Sequence, residues 1–559
     1  MKKVKVKKLN KWFASGEPMI WLNAAAVSSS LIIVTGLLVL ITIRGMGHFW
    51  PSQVMQATYL TPQSQQTIRV IGEIVETESV TVATLKDSGI QINTDKDVVE
   101  RSLIKTGNRD LLGTDFRWLI ETNLSDKSFP SGIIALERRE WGNFYGFLKA
   151  IKQNGEVIAQ GDKAWQVLEK HLEYVETLHD QIRDIEKNEI GSINYDIEQL
   201  RLDRRSLELN QDGDIDKLRA IEEDKKELQE QYKALQSRLN GLYEKVNRDS
   251  LLAETMDGRE IEIPFAKIVI AYAPNDMGFF AKLGHYLSKV FEFVSDDPRE
   301  ANTEGGVFPA IFGTVLMVMI MSVIVTPFGV IAAVYLREYA KQGLLTRTIR
   351  IAVNNLAGVP SIVYGVFGLG FFVYFLGGNI DQLFFPEALP APTFGTPGIL
   401  WSSLTLAILT VPVVIVATEE GLSRIPRSLR EGSLALGATK AETLWRVILP
   451  MSTPAMMTGM ILAVARAAGE VAPLMLVGVV KLAPSLALDG NAPYLHLERQ
   501  FMHLGFHIYD VGFQSPNVEA ARPLVYATAL LLVLVIVALN LSAIYIRNRL
   551  REKYRNLET

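Results

Sequence analysis

Six stretches of the chain are apolar for long enough to cross a bilayer: 20–43, 307–336, 351–376, 399–418, 455–479 and 524–546. Between the first and the second, 44–305 has a different grain. From 69 to 85 apolar positions alternate in strand fashion (Val70, Ile74, Val80, Val82), and 116–160 and 259–270 read as further short strands and turns. From 163 to 248 the period changes: Leu168, Leu172, Val175, Leu178, Ile182 and Ile185 recur every three or four residues, continued by Ile190, Ile193, Ile197 and Leu200. After a turn at 210–214 the pattern runs back through Ile215, Leu218, Ile221, Leu228, Leu235, Leu239, Leu242 and Val246. This predicts an antiparallel coiled-coil hairpin with arms of roughly 50 Å, at ~1.5 Å per residue.

The predicted fold class is an all-α polytopic membrane protein of six transmembrane helices carrying a large insert with a β domain (64–160 and 250–275) and a coiled-coil hairpin (163–248). An amphipathic helix follows at 276–294, with Phe279, Phe280, Leu283, Leu287, Val290, Phe291 and Val294 on one side. Such a helix suits either the membrane interface or a seat on the β domain. The remaining divisions are a basic N-terminus (1–18), the first span (19–43), a membrane core (307–546) with a charged loop at 419–455, and a tail (547–559).

Charge sets the sidedness. Lys2, Lys3, Lys5, Lys7, Lys8 and Lys11 precede the first span, and no small-x-small cleavage site follows it, so it reads as an uncleaved anchor rather than a signal peptide. Arg337, Lys341, Arg347 and Arg350 lie between spans two and three, and Arg547, Arg549, Arg551, Lys553 and Arg555 follow span six. With the 419–455 loop these fall on one side, so both termini are expected in the cytoplasm and the insert outside, in the periplasm. A net charge of −4 argues against nucleic-acid binding, and the absence of cysteine removes disulfides and thiolate metal sites.

The 419–455 loop has its own local logic. An amphipathic helix is expected over 425–436, with Pro426 near its start; Gly437 suits a positive φ; Thr439 and Glu442 have capping-box spacing; and Pro450 should end a second short helix, 440–449. The run 432–440, GSLALGATK, imitates a phosphate-cradling loop, but Ala438 and Thr439 stand between the glycine and the lysine, and the setting is helical. The chain is therefore expected to bind no nucleotide and no other cofactor.

Glu431, Gly437 and Val447-Ile448-Leu449-Pro450 resemble the E-A-A-x3-G-x9-I-x-L-P coupling loop of ABC importer permeases, with Gly432, Ser433 and Val447 departing from it. EGGVFPAIFGT (304–314), YLREYA (335–340) and LAGVPSIVYGVFGLG (356–370) are similar to the permeases of phosphate importers, over roughly 304–546. The resemblance implies a type I permease core whose residues Glu431, Gly437, Ala438, Leu449 and Pro450 grip an ATPase. It also implies the partners: a second homologous permease, two cytoplasmic ATPase subunits holding ATP and magnesium, and a periplasmic phosphate-binding protein. The chain itself is then a transporter subunit, not an enzyme, in the bacterial inner membrane. A permease for sulfate or molybdate, or a membrane-anchored coiled-coil scaffold or sensor, are the alternatives. Val416 stands where related permeases often carry an arginine, so a second anion contact falls to the partner permease.

Arg466 and Glu470 carry charge inside the fifth apolar stretch, four residues apart. Charges at bilayer depth are expensive and mark pathways or packing pairs. A guanidinium suits phosphate oxygens, which makes Arg466 a candidate transient anion contact and Glu470 its counter-charge. Ser361 and Tyr364, nearly one turn apart, are candidates to face the same path; packing through small residues is the competing explanation. His496, His503 and His507 lack a completing ligand for a metal, and the apolar residues among them suggest an interfacial helix.

Overall fold

The computed structural model describes residues 15–62, 66–90, 96–210, 214–515 and 518–555. The N-terminal lysine run and most of the turn at 210–214 lie outside the described residues.

Among the described residues six helices are long and apolar enough to cross a membrane: Glu17–Gly47, Phe308–Tyr339, Ser361–Phe384, Ile399–Arg424, Lys440–Gly469 and Ala521–Glu552. They are called spans one to six. Span four is the hub: 67% of its most apolar window is buried, against 6% for span six and 0% for span one. It packs between spans two and five. Small residues permit the approach, because a Cβ on Gly421 would stand 2.3 Å from Ala455 Cβ and one on Gly459 would stand 2.8 Å from Ala417 Cβ.

Two span boundaries differ from those the hydropathy pattern predicts. Apolar residues begin at 351, yet Leu344–Leu356 is a separate amphipathic helix and span three starts at Ser361. Pro360 is the cause: it lacks an N–H and holds the residue before it out of the helical region, so the chain breaks over 357–360. Likewise the fifth apolar run continues to 479, but its helix stops at Gly469, and Glu470 is extended with φ −82° and ψ 130°. A short helix, Leu474–Val477, follows.

The insert begins earlier than its alternation suggests, at β1 (Val54–Leu60). It continues through β2 (Thr67–Thr81), β3 (Val98–Lys105), β4 (Phe116–Ile120), β5 (Leu124–Ser128), β6 (Ile133–Arg138), β7 (Phe144–Gln153), β8 (Glu156–Gln160), β9 (Asp249–Glu254), β10 (Glu260–Pro264) and β11 (Ile268–Tyr272). Val82 and Leu85, expected to end a strand, instead sit in a short helix, Val82–Asp87, opened by the Thr81 side chain accepting from Thr84 N. The strands form two antiparallel sheets, ordered β4-β3-β2-β1-β5 and β10-β9-β7-β6-β11, with β8 on β7.

The 162–247 segment enters after β8 and leaves into β9, and both strands pair with β7. Its helices therefore leave and return at one place. Asp162–Asp184, a wide turn at Ile185–Glu189 and Ile190–Leu209 run out; Ile215–Asn247 runs back. Tyr243 Oη donates to Glu186 Oε1 at 2.6 Å, Arg238 meets Glu189 at 3.4 Å and Arg204 meets Glu222 at 2.6 Å, so the two legs are antiparallel. At the root Leu168, Val175, Leu178, Leu242 and Val246 are buried with Leu251 of the second sheet and with Phe265, in the turn between β10 and β11. Farther out, surface ion pairs worth about 0–1 kcal/mol each hold the legs. The arm does not stand free. Ile190–Leu209 packs on Pro386–Ala388, and the Tyr195 hydroxyl donates to Ala492 O in the membrane core.

Candidate functional site: a projecting loop and two facing helix breaks

At the end of the core opposite the insert, spans four and five are joined by a compact turn. Pro426, in an extended conformation, precedes the helix Arg427–Ala435, which is shorter at both ends than the predicted 425–436. Gly437 closes it with φ +90°. Ala438 N donates to Ser433 O at 3.2 Å and Gly437 N to Leu434 O at 3.0 Å, which is the Schellman pattern that satisfies the last carbonyls of a helix. Only the positive φ demands glycine here, since nothing lies within 4 Å of an added Cβ.

Thr439 then caps the next helix. Its N–H donates to Glu442 Oε2 at 2.8 Å, and Glu442 N donates to Thr439 Oγ1 at 3.2 Å, so the capping box read from the sequence is present. The second short helix is not. Pro450 does not end it: Lys440–Thr443 passes through a wide turn, Leu444–Ile448, into Leu449–Gly469 as one continuous span. A proline inside a helix clashes with the carbonyl four residues back, and a turn widened just before it relieves that clash. The loop is thus one short helix and a tight turn, followed by the end of span five.

Among the residues named for this loop, Glu431 and Gly437 are exposed, Ala438 is partly covered, and Leu449 and Pro450 are half-buried. Leu422, Ile425, Leu444 and Ile448 form a buried cluster beneath them. The Leu449-Pro450 end therefore anchors the loop while the helix projects. Leu436 (92% exposed) and Trp445 (77%) stand out from it, large apolar groups that sequence reasoning missed.

The loop is also braced. Arg430 Nη2 reaches Glu338 Oε1 at 2.9 Å and Leu422 O at 2.8 Å, and Arg430 Nη1 reaches Ile425 O at 2.8 Å. The Lys440 ammonium donates to Glu338 O and lies 4.6 Å from the centre of the Tyr339 ring. Arg350 joins Glu419 at 3.2 Å and Leu336 O at 3.1 Å. The sequence carried YLREYA as a resemblance only; its Glu338 is the residue that ties span two to the loop.

Deeper in the core the helix that follows the first break meets the second break. A Cβ on Gly365 would lie 2.7 Å from Pro473 Cα, and one on Gly368 would lie 2.3 Å from Thr405 Oγ1 and 3.0 Å from Val477. The start of span three thus packs against the segment that follows the end of span five. Tyr364 is buried, and its hydroxyl donates to Leu356 O at 2.7 Å, across the 357–360 break. That carbonyl also accepts from Val359 N at 3.2 Å, because the residue four on is Pro360, which has no N–H. The Tyr364 hydroxyl therefore serves the break, and of the two residues expected to face a path only Ser361 keeps part of its surface open.

Arg466 lies in the last turn of span five, and its Nε is 3.5 Å from Glu470 Oε1. Glu470 is beyond the helix, so the pair closes across its end and not along one helical face, as the four-residue spacing had implied. Both side chains keep open surface, 32% for Arg466 and 22% for Glu470. Val416 is exposed.

The three histidines are buried and separate in role. His496 Nε2 meets Asp489 Oδ1 at 2.9 Å and its Nδ1 meets Glu498 Oε1 at 3.2 Å, His503 Nδ1 accepts from Gly505 N, and His507 lies 3.4 Å from Thr528 Oγ1. The helix here, Leu504–Tyr509, continues through a wide turn, Asp510–Gln514; Leu504, His507 and Val511 are buried and Phe513 is exposed. Among the described residues no group of three acidic or imidazole side chains could hold a metal ion.

Six candidate spans, two of them interrupted, and a capped loop projecting from one end define a polytopic membrane protein. Residues 325–555 match the family model described as "Binding-protein-dependent transport system inner membrane component". The chain is 35% identical over 247 residues to "Phosphate transport system permease protein PstA 1" of Mycobacterium tuberculosis, covering 44% of this chain and 71% of that one. It is 28% identical over 270 residues to "Probable ABC transporter permease protein YqgI" of Bacillus subtilis, 47% of this chain and 85% of that one. It is 30% identical over 239 residues to "Phosphate transport system permease protein PstC" of Xylella fastidiosa, 41% of this chain and 74% of that one. The chain belongs to the family of binding-protein-dependent transport system inner membrane components.

Proposed function

We infer that this chain is the membrane permease subunit of an ATP-driven importer of inorganic phosphate. The observation that carries the reading is 35% identity to a phosphate transport permease over 247 residues, beside a family match over 325–555 that holds the capped loop and both helix breaks. Permeases are not enzymes themselves, and the chemistry that drives import belongs to a separate ATPase subunit.

In this reading the loop from Glu419 to Pro450 is cytoplasmic, as are both termini, and the insert is periplasmic. The exposed helix carrying Glu431, with Leu436 and Trp445 beside it, seats in a groove of one of two ATPase subunits. The Schellman turn at Gly437, Ala438 and the capping box at Thr439 keep that helix at a fixed angle. Leu449 and Pro450 root it in span five, and the Arg430–Glu338 bond roots it in span two. Movement of the ATPase is thereby delivered to two spans together.

The same spans lead to the path. Broken helices at membrane depth are tolerated where they line a cavity or are buried in protein. Arg466 is the transient anion contact between those breaks, Glu470 its counter-charge when no anion is present, and Ser361 a further polar group beside it. The second homologous permease closes the path, and a periplasmic phosphate-binding protein delivers the anion.

The test is co-purification with the neighbouring subunits, followed by ATP hydrolysis in lipid vesicles. ATPase activity stimulated by phosphate-loaded binding protein is the expected result. Stimulation by sulfate or molybdate in its place, or failure to retain any ATPase, overturns the reading.

A further inference from the structure

The helix Phe279–Ser295 is amphipathic in the reverse sense for a helix on a water-soluble domain. Its outward face carries Phe279, Phe280, Leu283, Leu287, Phe291 and Val294. Phe280 is 85% exposed, Phe291 73% and Leu287 58%. The other exposed positions are Ala281, Gly284, Ser288 and Ser295, so that face bears no charge. Lys282 is half-buried, and three further ionisable residues turn the other way. His285, Lys289 and Glu292 line a cavity of about 350 Å³ together with Lys105, Glu73 and Glu304. Lys289 donates to Glu137 and to Glu292.

The ends of this helix fix its height. Near its start the Phe279 ring is 6.1 Å from that of Trp50, three residues past the end of span one. In its middle the Tyr286 hydroxyl is 3.6 Å from Met46 Sδ, within span one. Near its end Phe293 is buried, 5.1 Å from the Phe49 ring, and its carbonyl accepts from Val307 N at 2.8 Å, directly before span two. Both ends are therefore pinned where spans one and two reach the insert. A helix of 17 residues, ~25 Å long, then runs along the ends of the spans.

We propose that Phe279–Ser295 lies in the interface of the leaflet on the insert's side, with its aromatic and aliphatic face in lipid and its charged face roofing the cavity. The occupant of the apolar face is lipid because that face continues the surface of span one, whose most apolar stretch has no buried residue and which meets span six near Gly45, at its insert end. The helix is then a skid that sets the height of the β domain above the membrane. This inference rests on the chain being a polytopic membrane protein and not on the phosphate reading, so the two fail separately.

The chain has no cysteine, so single labels report cleanly. Phe280→Cys, Leu287→Cys and Phe291→Cys, with Lys233→Cys on the arm as a water-exposed reference, are each given a nitroxide. The labelled chain is studied in the full assembly in vesicles of phosphatidylethanolamine and phosphatidylglycerol. All four sites are exposed, so the buried packing is left intact and the Phe279–Phe280 ring contact at 5.7 Å is the one ring contact removed. At the three helix sites the ratio of oxygen to nickel-chelate collision rates should exceed the Lys233 value several-fold. Ratios equal to the reference would place the face in water. Exclusion of both reagents would place a protein partner on it. Either result overturns the proposal.

Discussion

Gly437→Val should leave the chain in the membrane and lower ATP-driven phosphate uptake about tenfold, because holding an L-residue at a left-handed φ costs roughly 1–2 kcal/mol and 1.4 kcal/mol is a factor of ten. The space around Gly437 is open, so no collision disturbs the spans and the strain is local. It is released by letting the turn rotate, which breaks the Ala438-to-Ser433 and Gly437-to-Leu434 bonds and swings the Glu431 helix off its angle. ATP hydrolysis should persist or rise while its coupling to uptake falls. The check is uptake and hydrolysis measured in the same vesicles. Equal loss of both with the subunits still bound, or no loss of either, would show that the angle of this helix does not carry the coupling.

The second large effect concerns the pair at the end of span five. Removing one member strands the other, and an isolated charge in the middle of a bilayer costs at least about 2.5–3.5 kcal/mol. Arg466→Gln should therefore reduce uptake tenfold or more, and Glu470→Gln should reduce it as well. The double variant separates the roles. If the 3.5 Å pair only pins the helix end, removing both charges relieves the imbalance and restores most of the uptake. If Arg466 meets the anion, the double variant stays impaired. Persistent impairment with normal assembly is the expected result; full recovery would reduce the pair to a structural one.

What the sequence made legible follows from the range over which each signal acts. The capped turn is local: Gly437, Thr439 and Glu442 act on neighbours within a few residues, and each does in the structure what its chemistry suggests. The arm's three-four spacing is likewise local, and both long helices follow it. The breaks were less visible because hydropathy averages side chains and ignores the backbone. Ala357-Gly-Val-Pro360 and Gly469-Glu-Val-Ala-Pro473 lie inside apolar runs, and the proline in each was the available signal. Pro450 misled in the other direction, since a widened turn lets the helix pass it. Long-range partnerships were not readable at all. Nothing in the sequence joins Glu338 to Arg430, Tyr195 to Ala492, or Tyr364 to the carbonyl of Leu356. Each depends on where the fold brings distant segments.

The central claim is that the loop around Leu436 is the cytosolic grip on an ATPase. The direct measurement is labelling of Leu436→Cys, the most exposed large apolar side chain of that loop in a chain without native cysteine, by a membrane-impermeant maleimide. The account predicts no labelling in right-side-out vesicles, labelling in inverted vesicles stripped of the ATPase, and protection when the ATPase is added back. Labelling from the outer face, or labelling in inverted vesicles that the ATPase never blocks, would contradict it.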